Sequence, residues 1–199
     1  MIFDLGGVLI DWNPRHLYRK LFDDPAAMER FLATVCTPDW NLTLDEGRPF
    51  TEAVAEISAL HPDQIDLIEA YSERWDEMLG GAHEATVAIL DELRNRDVPL
   101  FALTNWSAET FPVAINRFEF LGWFEDIVVS GREGIVKPDK AIYELAIERF
   151  AIEPVRTAFI DDSPANTTAA GHSGLQAYRY QSAADLRTYL TRHGLLDAR

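Results

Sequence analysis

The sequence predicts an α/β fold in which helices cover both faces of a doubly wound parallel sheet. Two observations predict it. After about residue 82, short apolar stretches alternate with helical stretches of roughly a dozen residues, an order typical of a parallel sheet. One more apolar stretch stands alone at the N-terminus, and a long segment of helical pattern separates it from the others. We therefore expect the first strand to belong to a sheet that resumes after a helical insertion.

The N-terminal stretch, IFDLGGVLI, is short, apolar and β-branched, which suits a buried strand. Residues 14–80 predict helices and no strand. Three segments there place apolar residues three or four positions apart, on one helical face. They contain Met28, Phe31, Leu32 and Val35, then Phe50, Val54 and Ile57, then Ile68, Tyr71, Trp75 and Met78.

The remaining chain alternates helices and strands in a regular order. The predicted strands are VPLFALTN, FEDIVVSG, RTAFIDD and LQAYRY. The predicted helices are EATVAILDELRNR, AETFPVAINRF, DKAIYELAIERF, one that begins at Pro164 and a last one with Leu186 and Leu190. We expect residues 1–13 and 81–199 to form the core and residues 14–80 a cap at the C-terminal edge of the sheet, where such folds bind ligands.

Composition narrows the classes of function. The 199 residues include 33 acidic and 18 basic side chains, a net charge of −15, which disfavours nucleic acid and anionic membranes as partners. No apolar segment is long enough to span a bilayer, and no secretory signal is visible. The single Cys36 fits a reducing compartment, so we expect a cytoplasmic protein. An anionic substrate would need local positive charge at its site.

Polar residues end a predicted strand at four places. They are Asp4, Thr104 with Asn105, Lys137, and Asp161 with Asp162. Most have an ordinary interpretation: a turn for the first, a helix cap for the second and a solvated loop for the lysine. Two adjacent acids at the end of a buried strand are harder to explain without a cation, because they repel each other. The carboxyl ends of parallel strands meet, so these side chains are expected to converge.

In order and spacing, these stretches resemble the motifs of the haloacid dehalogenase-like hydrolase superfamily, in its helical-cap subclass. FDLGGVL is similar to the first motif, LTN to the second, VKP to the lysine motif and FIDDSPAN to the fourth. The resemblance extends over the whole chain and includes sugar-phosphate phosphatases that share the first motif's aspartate and glycine. It implies a Rossmann-like catalytic core with an inserted α-helical cap.

The resemblance also implies catalytic roles. Asp4 would be the nucleophile that forms a covalent aspartyl intermediate. Thr104 and Asn105 would bind the transferred group and substrate, and Lys137 would neutralise charge on both the nucleophile and that group. Trp106, next to Asn105, is a candidate substrate-binding residue.

A magnesium site is implied by the same resemblance. Asp162, Asp4 and the backbone carbonyl of Gly6 would be its ligands, with Asp161 and Asn166 beside them. Oxygen ligands of this kind suit Mg²⁺.

The chain departs from the resemblance at Gly6, because phosphatases of this superfamily usually have an acid/base aspartate there. Loss of such a group commonly costs a factor of roughly 10²–10⁴ in rate. Three hypotheses remain: a Mg²⁺-dependent phosphatase for a small phosphorylated metabolite such as a sugar phosphate, a metal-independent 2-haloacid dehalogenase, and a catalytically weak or inactive binding protein. Asp11 is the next acid, but its position predicts a turn into the cap, so it is not assigned the role.

The paired acids Asp161 and Asp162 favour the phosphatase, because a metal assists phosphoryl transfer but not chloride displacement. A dehalogenase would need a halide site of cap arginines and aromatic residues. The available side chains are Arg15, Arg48, Trp12, Trp40 and Trp106. The sequence leaves the oligomeric state open.

Overall fold

The structure, a computed structural model, describes residues 1–197. The strands are β1 (Ile2–Phe3), β2 (Ile10–Trp12), β3 (Leu79–Ala82), β4 (Phe101–Thr104), β5 (Asp126–Val129), β6 (Ala158–Asp161) and β7 (Gln176–Arg179). The helices are α1 (Arg15–Tyr18), α2 (Pro25–Thr34), α3 (Pro38–Asp45), α4 (Phe50–Leu60), α5 (Ile65–Glu73), α6 (Glu84–Arg94), α7 (Phe111–Arg117), α8 (Ser130–Glu133), α9 (Lys140–Arg149), α10 (Pro164–His172) and α11 (Ala183–Arg192). Short 3₁₀ helices cover Pro62–Gln64, Trp75–Met78, Glu119–Trp123 and Pro154–Arg156.

Five strands form one parallel sheet in the order β5-β4-β1-β6-β7. The N-terminal strand β1 is therefore central, with Ile2 opposite Phe101 of β4 on one side and Phe159 of β6 on the other. A central strand has both edges paired and both faces covered, which is why this segment is almost entirely apolar. The predicted α/β class and the parallel sheet are confirmed.

Helices cover both faces of the sheet, and alternate residues of each strand point to opposite faces. Ile2 packs in the smaller apolar cluster, with residues of α9 and α10, whereas Phe3 packs in the larger one, with residues of α6, α11 and the helices before residue 79. This alternation explains how a two-residue strand can anchor two separate layers. The doubly wound arrangement that the sequence predicts is confirmed.

The predicted strand IFDLGGVLI is wrong in its extent, because it contains a tight turn. Backbone N–H groups of Val8, Leu9 and Ile10 all donate to the carbonyl of Leu5, and Gly7 has a positive φ of 73°. Glycine adopts that conformation at little cost, so the chain reverses between β1 and β2.

The prediction that residues 14–80 contain no strand is also wrong. Leu79 and Gly80 belong to β3, which pairs antiparallel with β2 as a separate two-stranded sheet. The segment LGGA has little intrinsic strand propensity, and it is extended because β2 offers a partner. The stretch from Pro14 to Met78 holds α1–α5, and it leaves and returns through this ribbon. Within residues 1–197, none of the helices has both the length and the apolar character needed to cross a bilayer.

Candidate active site

Three neighbouring strands bring polar residues to one edge of the sheet. Asp4 follows β1 directly, Thr104 ends β4 and Asp161 ends β6. Because these strands are parallel and adjacent, their carboxyl ends meet, as the sequence predicts.

The side chain of Lys137 lies at the centre of this edge. It is only 1% exposed, and its Nζ lies 2.9 Å from Asp4 Oδ1 and 2.8 Å from Asp161 Oδ2. The same Nζ donates to the carbonyl of Leu103 at 3.0 Å. Lys137 was expected at the end of a strand, and that placement is wrong: it lies in the loop between α8 and α9.

The charge balance around Lys137 favours the ammonium form. Burial alone would lower its pKa, but the carboxylates of Asp4 and Asp161 outweigh burial and hold the pKa above its ordinary value. A buried, permanently positive group therefore stands beside Asp4 in a protein of strongly negative net charge. This is the local positive charge that an anionic substrate would require.

Asp4 is held in place by the backbone around it and by the side chain of Lys137. Its own N–H donates to the carbonyl of Ile160 at 2.8 Å, and the N–H of Leu5 donates to its Oδ1 at 2.7 Å. Burial, together with the charge of Asp161, raises the pKa of Asp4 to about 7, although Lys137 and the Leu5 N–H act in the opposite direction. The side chain is thus fixed in one orientation by groups that stabilise its negative charge.

Asp161 is completely buried, and its carboxylate is satisfied by two side-chain donors and one backbone N–H. Lys137 approaches Oδ2, the N–H of Ser163 donates to Oδ1 at 2.8 Å, and Nδ2 of Asn166 lies 3.1 Å from both oxygens. Asn166 is held in turn by α10, which begins at Pro164 with Ser163 as its N-cap. Asp161 therefore orients the lysine, and Asn166 orients Asp161.

Asp162 follows β6 directly, is exposed and lines the cavity. Burial of part of its carboxyl and the nearby charge of Asp161 raise its pKa. A Cβ on Gly7 would lie 2.7 Å from Asp162 Oδ2, so only glycine allows the turn after β1 to approach this carboxylate so closely. Ligand oxygens of Asp4, Asp161 and Asp162 lie within 4.8 Å of one another, which is a donor set for a hard divalent cation.

These groups open into a cavity of about 290 Å³. Its walls come from both the sheet edge and the helical insertion. They are Asp4, Gly6, Gly7, Trp12, Asn41, Asp45, Trp75, Asn105, Trp106, Lys137, Asp162 and Asn166. A concave space that combines apolar rings with a few converging polar and charged groups is the usual form of a small-molecule site.

Two of the predicted substrate contacts lie differently from the expectation. Thr104 is 1% exposed and is not among the described residues that line the cavity. Asn105 lines it, but its amide is engaged with the Lys137 backbone, accepting from the N–H at 2.8 Å and donating to the carbonyl at 2.9 Å. Trp106 lines the cavity as expected, with its ring 5.6 Å from that of Trp75.

The side chains considered for a halide site lie in different parts of the molecule. Of these, Trp12 and Trp106 reach the cavity. Arg15 pairs with Glu29 at 2.6 Å beside a neighbouring cavity, and Arg48 pairs with Glu56. Trp40 packs edge-on against Tyr71 inside the helical insertion. Neither arginine is among the described residues that line the cavity.

Three residues of the cavity wall were missed by the sequence analysis. Asn41 and Asp45 lie one helical turn apart on α3, and Trp75 begins a 3₁₀ helix. The four-residue spacing of Asn41 and Asp45 was the available signal, but most such pairs are solvated. Only the folding of α3 over the sheet edge turns this pair toward the site.

A central parallel sheet with a lysine and three carboxylates at its carboxyl edge defines an α/β protein whose acidic site could hold a metal ion. Comparison with known proteins gives the family. Residues 1–174 match the sequence family described as haloacid dehalogenase-like hydrolase. The chain belongs to this family of hydrolases, and the resemblance seen in the four motifs is confirmed.

Curated relatives include phosphatases. The chain is 26% identical over 187 residues to the sesquiterpene phosphatase astK of Aspergillus oryzae, covering 87% of this chain and 85% of that protein. It is 24% identical to a phosphorylated carbohydrates phosphatase of Thermotoga maritima, covering 88% and 82%. Among solved structures, a HAD family enzyme of Bacteroides thetaiotaomicron in complex with magnesium and inorganic phosphate superposes with a TM-score of 0.65 at 22% identity, covering 91% and 93%.

Proposed function

We propose that this hydrolase is a Mg²⁺-dependent phosphatase that cleaves a small phosphorylated metabolite through an aspartyl-phosphate on Asp4. The observation that carries the proposal is the convergence of Lys137 with the oxygen cluster of Asp4, Asp161 and Asp162. The relatives that act on phosphate esters support the same reaction class.

The residues present fit a magnesium ion. Asp162 is exposed to the cavity and Asp4 faces it, while the Gly6 backbone lines the same wall. Asp161 is already bound to Lys137, Ser163 and Asn166, so we assign it to orientation rather than to the metal. Asp4, Asp162 and the Gly6 carbonyl would hold the ion, and bound Mg²⁺ would supply positive charge to the phosphoryl oxygens.

The chain's own groups do the rest. Asp4 attacks phosphorus, the bond to the leaving oxygen breaks, and water later hydrolyses the aspartyl-phosphate. Lys137 stabilises negative charge on Asp4 and on the transferred group, because its ammonium is fixed before the substrate arrives. Asn105 holds the Lys137 backbone in place through its two hydrogen bonds. Thr104 is buried and does not line the cavity, so its contact with the transferred group stays a prediction from the resemblance.

The cavity supports a small metabolite as the proposed substrate. A volume of about 290 Å³ admits a small metabolite, and the walls combine tryptophan rings with Asn41 and Asp45. A sugar phosphate would use both kinds of surface, since flat apolar walls and polar groups together suit a sugar ring. The names of the two phosphatase relatives point to a carbohydrate and to a terpene, so both substrate types belong in the first test.

The dehalogenase hypothesis is the alternative. It requires a cation for the halide, and both candidate arginines are paired with glutamates away from the cavity. The pairing of the two arginines has no bearing on the third hypothesis, an inactive binding protein. The activity assay below distinguishes that hypothesis from the phosphatase. The cytoplasmic location stays a prediction from composition.

The deciding experiment measures product release with Mg²⁺ and with EDTA. The substrates are p-nitrophenyl phosphate, a sugar 1-phosphate, a prenyl phosphate and 2-chloropropionate. We expect phosphate release that requires Mg²⁺ and is lost in Asp4→Asn, which removes the attacking oxygen. Asp11→Asn is the matched control, because Asp11 lies on β2 and pairs with His16. Chloride release that ignores EDTA would establish the dehalogenase instead, and no release of either product would favour a binding protein.

A further inference from the structure

The site lacks an acid at the position where the family resemblance calls for one. Gly6 lies on the cavity wall, and a Cβ built there would meet nothing within 4 Å. The space beside the nucleophile is therefore open at the Cβ position. A phosphatase without an acid at this position needs another group to protonate the leaving oxygen, or it acts only on substrates whose leaving groups need no proton.

Asp45 lies across the same cavity, at the end of α3 in the helical insertion. Its carboxyl is anchored from two sides. The N–H of Ser107, in the loop after β4, donates to it, and Asn41 Nδ2 donates to Oδ2 at 2.8 Å. The hydroxyl of Ser130 binds the Asp45 backbone carbonyl, so both ends of the residue are fixed to the sheet side of the cavity.

The orientation of Asn41 is determined by a third residue. The hydroxyl of Tyr71 donates to Asn41 Oδ1 at 2.7 Å, which leaves the NH₂ group to face Asp45. The chain Tyr71–Asn41–Asp45 therefore delivers a donor to the carboxyl and holds it in one rotamer. Such preorganisation is what a group that transfers a proton requires.

The electrostatic surroundings suit proton exchange near neutral pH. Burial raises the pKa of Asp45 to about 7, and the Ser107 N–H, Asn41 and the charge of Lys137 oppose the rise. The other titratable group that faces it is Tyr71, whose own pKa is raised by burial and by Asp45. A general acid works best when its pKa lies near the working pH.

We propose that Asp45 performs the acid/base role that Gly6 cannot, as the proton donor to the leaving oxygen. This proposal rests on the phosphatase function proposed above. In the first step Asp4 forms a bond to phosphorus, the phosphorus–oxygen bond to the leaving group breaks, and the leaving oxygen takes the proton of Asp45. In the second step Asp45 takes a proton from water, whose oxygen bonds to phosphorus as the Asp4–phosphorus bond breaks.

The test is the dependence of kcat/KM on the leaving group, because this ratio reports only the first step. The probes are p-nitrophenyl phosphate, phenyl phosphate and glycerol 1-phosphate, whose leaving groups are progressively more basic. Asp45→Asn keeps a hydrogen-bonding group of the same size but cannot supply the proton. We expect it to lose about threefold or less on p-nitrophenyl phosphate and roughly 10²–10⁴-fold on glycerol 1-phosphate.

Ser130→Ala is the matched control. It removes the hydroxyl's contacts with the Asp45 carbonyl and the Trp106 N–H and leaves the Asp45 carboxyl intact, so a loss that comes from the positioning of the cavity walls alone should be equal for all three probes. Equal losses in Asp45→Asn would overturn the proposal while leaving the phosphatase function in place. A wild type that releases no phosphate from any probe would overturn the proposed function itself, and this proposal with it.

A rescue variant keeps the test valid even if Asp45→Asn is poorly folded. Gly6→Asp places a carboxyl in the open space beside Asp4. In the Asp45→Asn background, it should raise kcat/KM on glycerol 1-phosphate at least tenfold and change kcat/KM on p-nitrophenyl phosphate little. If the double variant unfolds at the same temperature as the wild type but does not regain activity on glycerol 1-phosphate, the result would count against Asp45 as the proton donor.

Discussion

The ammonium of Lys137 lies 2.9 Å from Asp4 Oδ1, with both side chains almost entirely withdrawn from solvent. Neither group would be stable there alone, because an isolated buried charge is strongly disfavoured. The pair, completed by Asp161, is therefore both a structural element and the charged centre of the candidate site.

Replacing Lys137 with methionine should destabilise the fold severely. The change leaves two buried carboxylates without their cation, and breaking a buried pair in this way typically costs about 3–5 kcal/mol. Urea denaturation measures the free energy of unfolding. Lys140→Met, which removes an exposed pair with Glu144, is the control and should change it by less than about 1 kcal/mol. Similar values for the two variants would show that the buried triad is not a stabilising unit.

Replacing Asn105 with alanine should affect both stability and activity. It removes the two hydrogen bonds that hold the Lys137 backbone, worth together about 1–3 kcal/mol of unfolding free energy. The loop can then move, so Lys137 is less well placed and kcat should fall. Asn95→Ala on the exposed end of α6 is the control. Full stability together with full activity in Asn105→Ala would contradict the assigned role.

Removing Asp45 should change how stability depends on pH. Its folded pKa of about 7 lies above the unfolded value of about 3.9, so the folded chain holds a proton that the unfolded chain releases. Through this group the free energy of unfolding falls as pH rises from about 4 to about 7, by at most about 1.4 kcal/mol per pH unit. Asp45→Asn abolishes that contribution.

The measurement is denaturant unfolding of wild type and Asp45→Asn at several pH values in this window. We expect the stability of the wild type relative to the variant to decrease steadily as pH rises. Asp63→Asn, at an exposed position, should give a constant difference. A constant difference for Asp45→Asn as well would mean that its pKa is ordinary in the folded state.

Magnesium should stabilise the protein through Asp162. A ligand that binds only the folded chain adds about 1.4 kcal/mol at ten times its dissociation constant, so thermal unfolding should move upward with added Mg²⁺. Asp162→Asn should lose most of this shift because it removes a charged oxygen ligand. Glu148→Gln, an exposed change on α9, should retain it. An undiminished shift in Asp162→Asn would place the metal elsewhere.

Much of the fold was predictable because its signals are local. The alternation of apolar and amphipathic stretches predicts the parallel sheet, and the buried character of IFDL predicts a strand with both faces covered. The ribbon of β2 and β3 was not predictable, since LGGA becomes a strand only through its partner Ile10–Trp12. Its pairing is a contact between segments more than sixty residues apart in the chain.

By itself, the sequence determined which charged groups gather at the sheet edge: Asp4, Lys137, Asp161 and Asp162 follow from motifs in which neighbours along the chain suffice. Only the tertiary structure decided which hydrogen bonds and ion pairs these side chains form. It also decided which residues of the helical insertion face them across the cavity. Asp161 is committed to Lys137, and Asp45 reaches the cavity because Ser107 and Ser130 bind α3 to the sheet. These are contacts across long sequence separations, and their geometry depends on packing that no local pattern records.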